Sequence, residues 1–262
     1  MKPDNPDCEL FETWLRPEEV AADDSFAYWN DEEVERVKPL YTIIRKDSAS
    51  LERHLASDPY VRQLQKATRL LNSRGVPLSG TGADLGCGNM TLVPHLISLP
   101  TIERLYCVDY SRYRLTTLGP DLLKHFPQVR RKVVLCLGDF CRLQLSNNSL
   151  DFVILSASFH HAYEPNDFLL EIRRVLKTQG KVLILGEQPL TLRLRLTLLA
   201  QYLTRRQQPA TFPLRRKVLI DRTLGDHGYS RKEYLRMFAE ARFAVCDEGN
   251  KDGLLGFVLS KE

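Results

Sequence analysis

Between residues 82 and 185 the chain alternates short apolar runs with stretches of helical periodicity, and few folds accept that pattern. The runs fall at 82–85, 105–108, 133–137, 152–155 and 182–185, and helical stretches at 92–99, 114–125 and 166–176 lie between most of them. Continuous apolar runs belong to strands covered on both faces, and strands alternating with helices read as βαβ units around a buried parallel sheet. Beyond residue 230 the pattern changes. Ser230 and Glu233 form a capping box for a helix through Ala241. Two strand-like runs follow, 243–246 and 255–259, with 248–253 as the turn of an antiparallel hairpin. The expected fold class is α/β: a doubly wound, Rossmann-like sheet of seven strands, mostly parallel, closed by the C-terminal hairpin.

The first 75 residues follow other rules. Residues 1–35 carry twelve acids and two bases, a net −10 that leaves +14 for the rest of a chain whose formal charge is +4. Residues 1–24 read as an acidic, loosely held tail. Residues 31–74 read as a helical cap, with Val34, Val37, Leu40, Leu55, Val61 and Leu64 at helical spacing and Gly75 and Pro77 as the stop. The expected division is a tail and cap over 1–75 and the α/β domain over 76–262, with a basic insertion at 188–229. Six cysteines without zinc-site or framework spacing are expected to be reduced and mostly buried. With neither a secretory leader nor an apolar run near the roughly 18 residues of a membrane span, the expected location is the cytoplasm.

The loop after the first strand carries the chemistry. Asp84-Leu85-Gly86-Cys87-Gly88-Asn89-Met90-Thr91 opens a helix, and glycines there let the backbone turn sharply and approach a ligand. A dinucleotide fingerprint would need a third glycine at 91, where Thr91 stands. Asp84 also argues against a pyrophosphate, because a carboxylate at the strand end suits an ammonium group. Asp109, at the end of the second strand and about 20 residues on, is placed to accept from ribose hydroxyls.

The segment Asp84-Leu85-Gly86-Cys87-Gly88 resembles the first motif of the class I S-adenosylmethionine-dependent methyltransferases, small-molecule type. The strand Leu150-Asp151-Phe152-Val153-Ile154-Leu155-Ser156 and the following Arg174-Val175-Leu176-Lys177, glycine turn and strand fit the same family. The resemblance covers about residues 78–188 closely. It implies that S-adenosyl-L-methionine is the cofactor and that the 84–88 loop, including Cys87, holds its amino-acid end. It further implies that Asp109 with Tyr110 holds the ribose, that Asp139 takes the adenine amine with Phe140 over the ring, and that Ser156 belongs to the same site. Met90 departs from the pattern: a third glycine is frequent there, and the larger side chain is expected to narrow the pocket.

Ligands in open α/β sheets bind beyond the carboxyl ends of the strands. The loop after the fourth strand contains Phe159-His160-His161, and imidazole is the usual base near neutral pH. His160 or His161 is the expected general base, with Glu187 as its orienting partner, and the expected reaction is methyl transfer to a hydroxyl of a small molecule. The alternatives are methylation of carbon or nitrogen on a lipid-like or anionic molecule, or a non-catalytic cofactor-binding scaffold. No metal is expected, since adjacent histidines diverge and no carboxylate lies at ligand spacing. His227 is a pocket candidate, and Tyr28-Trp29 reads either as a lid or as a core pair. The stretch 191–217 is basic and amphipathic. It reads as a solvated face partnered by the acidic N-terminus, or as a contact for an anionic membrane or acidic substrate. Nucleic acid is disfavoured, because Ser156-Ala157-Ser158-Phe159 stands where base methyltransferases carry an Asn-Pro-Pro-Tyr type motif.

Overall fold

A computed structural model describes residues 11–15, 29–30, 47–127, 130–204, 218–221, 226–251 and 253–262. Ten strands and seven α-helices fall within them. The strands are β1 (Phe11–Thr13), β2 (Gly80–Leu85), β3 (Ile102–Asp109), β4 (Val133–Leu137), β5 (Leu150–Ser156), β6 (Leu176–Glu187), β7 (Val218–Asp221), β8 (Asp226–Gly228), β9 (Phe243–Lys251) and β10 (Leu254–Lys261). The helices are α1 (Ser48–Ser57), α2 (Pro59–Ser73), α3 (Val93–Ile97), α4 (Gly119–Leu123), α5 (Pro165–Val175), α6 (Leu192–Leu203) and α7 (Arg231–Glu240).

The main sheet has eight strands in the order β1-β4-β3-β2-β5-β6-β10-β9. All neighbours up to β6 pair parallel, and β10 pairs antiparallel with both β6 and β9. The expected seven strands are present, and the eighth is β1. Residues 11–13, read from sequence as tail, pair with β4 at the sheet edge, Phe11 opposite Leu135. Trp14 follows and packs where a Cβ on Gly138 would meet its ring at 3.1 Å. The hairpin strands run longer than the apolar runs suggest: β9 extends to Lys251, and the left-handed Gly253 turns the chain at φ 81°. Likewise β6 starts at Leu176, so the expected glycine turn at 178–180 lies inside a strand.

Alternate residues of the central strands face opposite ways. Ile154 and Leu183 join one buried cluster with Leu64, Leu96 and Leu115, while Val153, Leu155, Val182 and Ile184 join the other with Phe168, Ile172 and Phe238. Burying a side chain of this size stabilises the fold by about 1.5–3 kcal/mol each, so the two layers clamp the sheet. Helix α2 begins where Asp58 accepts from the backbone N–H groups of Tyr60 and Val61, with Pro59 in the first turn. Gln63 on the same helix is buried, and its Oε1 accepts from the Gly186 N–H at 2.8 Å. That bond anchors the helix beside the carboxyl end of β6. The Ser230–Glu233 capping box forms as expected and starts α7.

From β2 the order runs through β3 on one side and β5 on the other, so the chain's path reverses between β2 and β5. Ligands bind at such a reversal in open α/β sheets. Helix α6 confirms the helical reading of 191–206 in part. Leu198 is its buried leucine, while Leu192 (71%), Leu196 (53%) and Leu203 (71%) are exposed. Residues 205–217, with the remaining basic residues of that stretch, and Tyr28 lie outside the described residues. No described helix is long and apolar enough to cross a membrane. None of the five described cysteines is in a disulfide.

Candidate active site

Asp84 ends β2 almost fully buried, and its Oδ1 has no hydrogen-bond partner. Burial, with the Asp109 charge adding to it, pushes the Asp84 carboxyl up to about 7. A buried carboxylate is costly unless a cation or donor meets it, so the position suits an ammonium group. The turn beyond it needs its glycines. Gly86 and Gly88 are left-handed, with φ of 69° and 52°, and a Cβ on Gly86 would lie 2.7 Å from that of Ser158. Gly86 and Cys87 both donate to the Val108 carbonyl, at 2.8 and 3.0 Å. Burial also pushes the Cys87 thiol well above its ordinary pKa, which keeps it protonated.

Asp109 accepts from the Gly88 N–H at 2.7 Å and from the Ser111 N–H at 2.8 Å. One carboxylate therefore ties the glycine turn to the start of the next helical segment while it lines the cavity. Each of its oxygens keeps a second lone pair, so the ribose role and the structural role are compatible.

Beyond these strand ends lies a cavity of about 590 Å³. Asp84, Gly86, Cys87, Gly88, Asp109, Tyr110, Phe140, Ser156 and His161 all line it, as do Trp29, His54, Asp58, Tyr60 and Arg114. Three expected site residues are not in its walls. Asp139 accepts from the Cys141 N–H at 2.7 Å and shapes the turn that presents Phe140. His160 and Glu187 stand behind His161. Met90 is also absent from the walls, so it does not narrow the pocket. It is left-handed at φ 57° and buried, and its Sδ would be 2.4 Å from a Cβ on Gly119. Its backbone keeps the glycine-like conformation while its side chain fills the core.

The histidine pair is held by two carboxylates. Glu187, fully buried, lies 3.0 Å from His160 Nδ1, accepts from the Phe159 N–H at 3.1 Å and accepts from the Tyr234 hydroxyl at 2.8 Å. Burial alone would lower the pKa of His160, but the hydrogen bond and charge of Glu187, with Asp226 behind them, raise it above the ordinary value. His161 Nδ1 lies 2.8 Å from an oxygen of Asp226. Burial works to raise the Asp226 carboxyl, and His161 outweighs it and holds it below the usual range. The two imidazole rings do not diverge: their centroids are 4.2 Å apart, and donor atoms of His160, His161 and Asp226 lie within 4.8 Å of one another. This is the one such His/Cys/acid trio among the described residues. The nitrogens nearest the acids are Nδ1 of His160, beside Glu187, and Nδ1 of His161, beside Asp226.

Asp226 was not singled out from the sequence, although its neighbour His227 was. His227, the pocket candidate of the sequence, is buried outside the cavity walls, its ring stacked 6.0 Å from that of Tyr229. Arg114, His54, Asp58 and Tyr60 were also missed. Only Asp58 carried a local signal, as the residue before Pro59. Trp29 sits over the cavity, edge-on to His161 at 5.4 Å and 5.0 Å from the Arg114 guanidinium, while Asn30 accepts from the Arg112 N–H at 2.7 Å.

The family model described as "Methyltransferase domain" matches residues 83–184. A curated relative, ribosomal RNA large subunit methyltransferase G of Vibrio parahaemolyticus, is 28% identical over 112 residues, 41% of this chain and 29% of its own. The chain thus spans under a third of that relative's length. Among solved structures, magnesium protoporphyrin IX methyltransferase from Synechocystis PCC 6803, with bound S-adenosylhomocysteine, superposes with a TM-score of 0.60 at 14% identity, covering 90% of this chain and 97% of that one. Geranyl diphosphate C-methyltransferase from Streptomyces coelicolor, in complex with Mg2+, geranyl diphosphate and S-adenosyl-L-homocysteine, gives 0.56 at 15% identity, covering 90% and 95%. At these identities the likeness is one of fold. The cofactor fits this chain's own residues: an unpartnered buried carboxylate oxygen, two bare left-handed glycines and a second acid one strand over, around one cavity. Residues 83–184 thus match a methyltransferase domain, the fold is that of S-adenosylmethionine-dependent methyltransferases, and the residues around the cavity fit S-adenosylmethionine as the cofactor.

Proposed function

We propose that this enzyme methylates a hydroxyl of a small-molecule acceptor and that His161 is the general base. The observation that carries the reading is the placement of His161, in the cavity wall with Asp226 2.8 Å from its Nδ1. When bound, S-adenosylmethionine supplies a methyl group on a sulfonium sulfur. The chain's own part is to align the acceptor oxygen, exclude water and take its proton. With Nδ1 beside Asp226, Nε2 of His161 is the atom that accepts. Asp226 orients the ring, as an orienting acid does in other His-based sites. His160 is the weaker candidate, because Glu187 and Asp226 raise its pKa and favour its charged form before any proton is taken. It is a positioning residue that backs His161, held by Glu187 and Tyr234.

Two structural neighbours whose names specify small-molecule substrates support a small acceptor. The exposed leucines of α6, beside Arg193 and Arg195, suit an acceptor with an apolar body or one delivered at an anionic membrane surface. The test is transfer of a tritiated methyl group from the cofactor into a low-molecular-mass cell extract, with the labelled product identified by mass spectrometry and NMR. An O-methyl product is expected, and His161→Ala should lower kcat by about 10²–10⁴-fold while S-adenosylhomocysteine affinity stays within about twofold. A C- or N-methyl product, or full turnover by His161→Ala, overturns the assignment. Cofactor binding without any labelled product would favour the scaffold reading.

A further inference from the structure

Among the described residues lining the cavity there are three carboxylates, Asp58, Asp84 and Asp109, and a single Lys or Arg, Arg114. Arg114 opens the π-helical turn Arg114–Leu118, just after Asp109, and is 9% exposed. Two of its contacts show where its guanidinium lies. The Trp29 ring lies 5.0 Å from its central carbon, and a Cβ on Gly88 would lie 3.3 Å from its Nη1. Gly88 therefore has a second reason to be bare: it leaves space for the guanidinium beside the glycine turn.

The cofactor's amino-acid end is a zwitterion. Asp84, at the start of the turn, is placed for the ammonium. The carboxylate must then enter a wall in which Arg114 is the one Lys or Arg among the described residues. We infer that Arg114 receives the cofactor's carboxylate, so that the zwitterion is held by opposite charges at the two ends of the 84–88 turn. The inference rests on S-adenosylmethionine as the cofactor and adds a binding residue to that site. A guanidinium suits the task, since its planar fork matches a carboxylate with two parallel hydrogen bonds. Asp84 and Asp109 would otherwise repel the ligand's negative end, so Arg114 also sets the direction in which the amino-acid end lies.

The experiment is calorimetric titration of wild type, Arg114→Met and Arg114→Lys with two probes. One is S-adenosylhomocysteine. The other is S-adenosyl-3-thiopropylamine, which keeps the adenosine, thioether and amine and lacks only the carboxylate. Arg114→Met should weaken S-adenosylhomocysteine by about 10- to 100-fold, the range for a hydrogen bond between charged groups, and change the second probe by less than about twofold. Arg114→Lys, which keeps the charge and loses the fork, should fall between. Equal losses for both probes would make Arg114 a structural prop and overturn the inference, as would no loss for either. Should Arg114→Met fail to fold, the Arg114→Lys pair of titrations decides by the same contrast. Wild type that binds neither probe would overturn the cofactor reading itself, an outcome distinguished because it shows before any variant is made.

Discussion

Asp84 makes cofactor affinity depend on pH in a direction that can be worked out. Its carboxyl is raised to about 7 by burial and by the Asp109 charge. In the proposed arrangement the ammonium of the cofactor is met by the ionised form. At pH 7 about half of the apoprotein carries that form, and at pH 5.5 about one molecule in thirty does, so affinity should fall roughly 15-fold over this interval. The free amino group of the ligand stays protonated throughout, and arginine does not titrate. His54 and His161 also line the cavity, so the control is Asp84→Asn. This variant should bind S-adenosylhomocysteine more weakly at pH 7 and lose most of the slope. In the apoprotein the sign is opposite. A carboxyl raised from 3.8 to about 7 contributes stability that is fully present below the unfolded value and lost as pH rises through 7. Apo Asp84→Asn should therefore melt above wild type at pH 8. Calorimetric titration at pH 7.0 and 5.5 is the assay. A wild-type change of less than threefold, or an equal slope in Asp84→Asn, would refute the reasoning.

Two further predictions concern residues away from the ligand. Met90→Gly should cost about 1–4 kcal/mol, the loss of a buried side chain reduced by the relief of a left-handed non-glycine backbone. Thermal unfolding should show a lowered Tm with S-adenosylhomocysteine affinity unchanged, whereas a gain in affinity would place Met90 back in the pocket wall. The α6 surface should bind vesicles of phosphatidylcholine containing phosphatidylglycerol more strongly than phosphatidylcholine alone. Changing Leu192, Leu196 and Leu203 to Ser should weaken that binding at least about tenfold, given 1.5–3 kcal/mol for each leucine that becomes buried; unchanged cosedimentation would show that the leucines take no part.

The central strands were legible because burial on both faces leaves an apolar run with no polar gaps, and the 84–88 loop because only glycine accepts its conformation cheaply. The limits have physical causes. Phe11-Glu12-Thr13 is three residues long, too short for any periodicity, and owes its conformation to β4. Asp226 comes to His161 from a two-stranded ribbon 65 residues later in the chain, a pairing set by tertiary packing. The rings of His160 and His161 converge because separate acids hold them, which adjacency in sequence does not reveal. Arg114 sits in a helical stretch that reads as an ordinary mixed-polarity surface, and only the bare Gly88 and the ring of Trp29 disclose where it points.

The pairing of Phe11 with Leu135 also sets an order of events during synthesis. The first strand leaves the ribosome early, yet its partner is completed only at Leu137. Until then β1 has no template, and afterwards the open main-chain edge of β4 waits for a segment tethered more than a hundred residues upstream. Bare strand edges recruit other chains. A fragment begun at residue 76 would leave that edge permanently bare, so shortening the protein to its apparent catalytic unit would trade a covered edge for self-association.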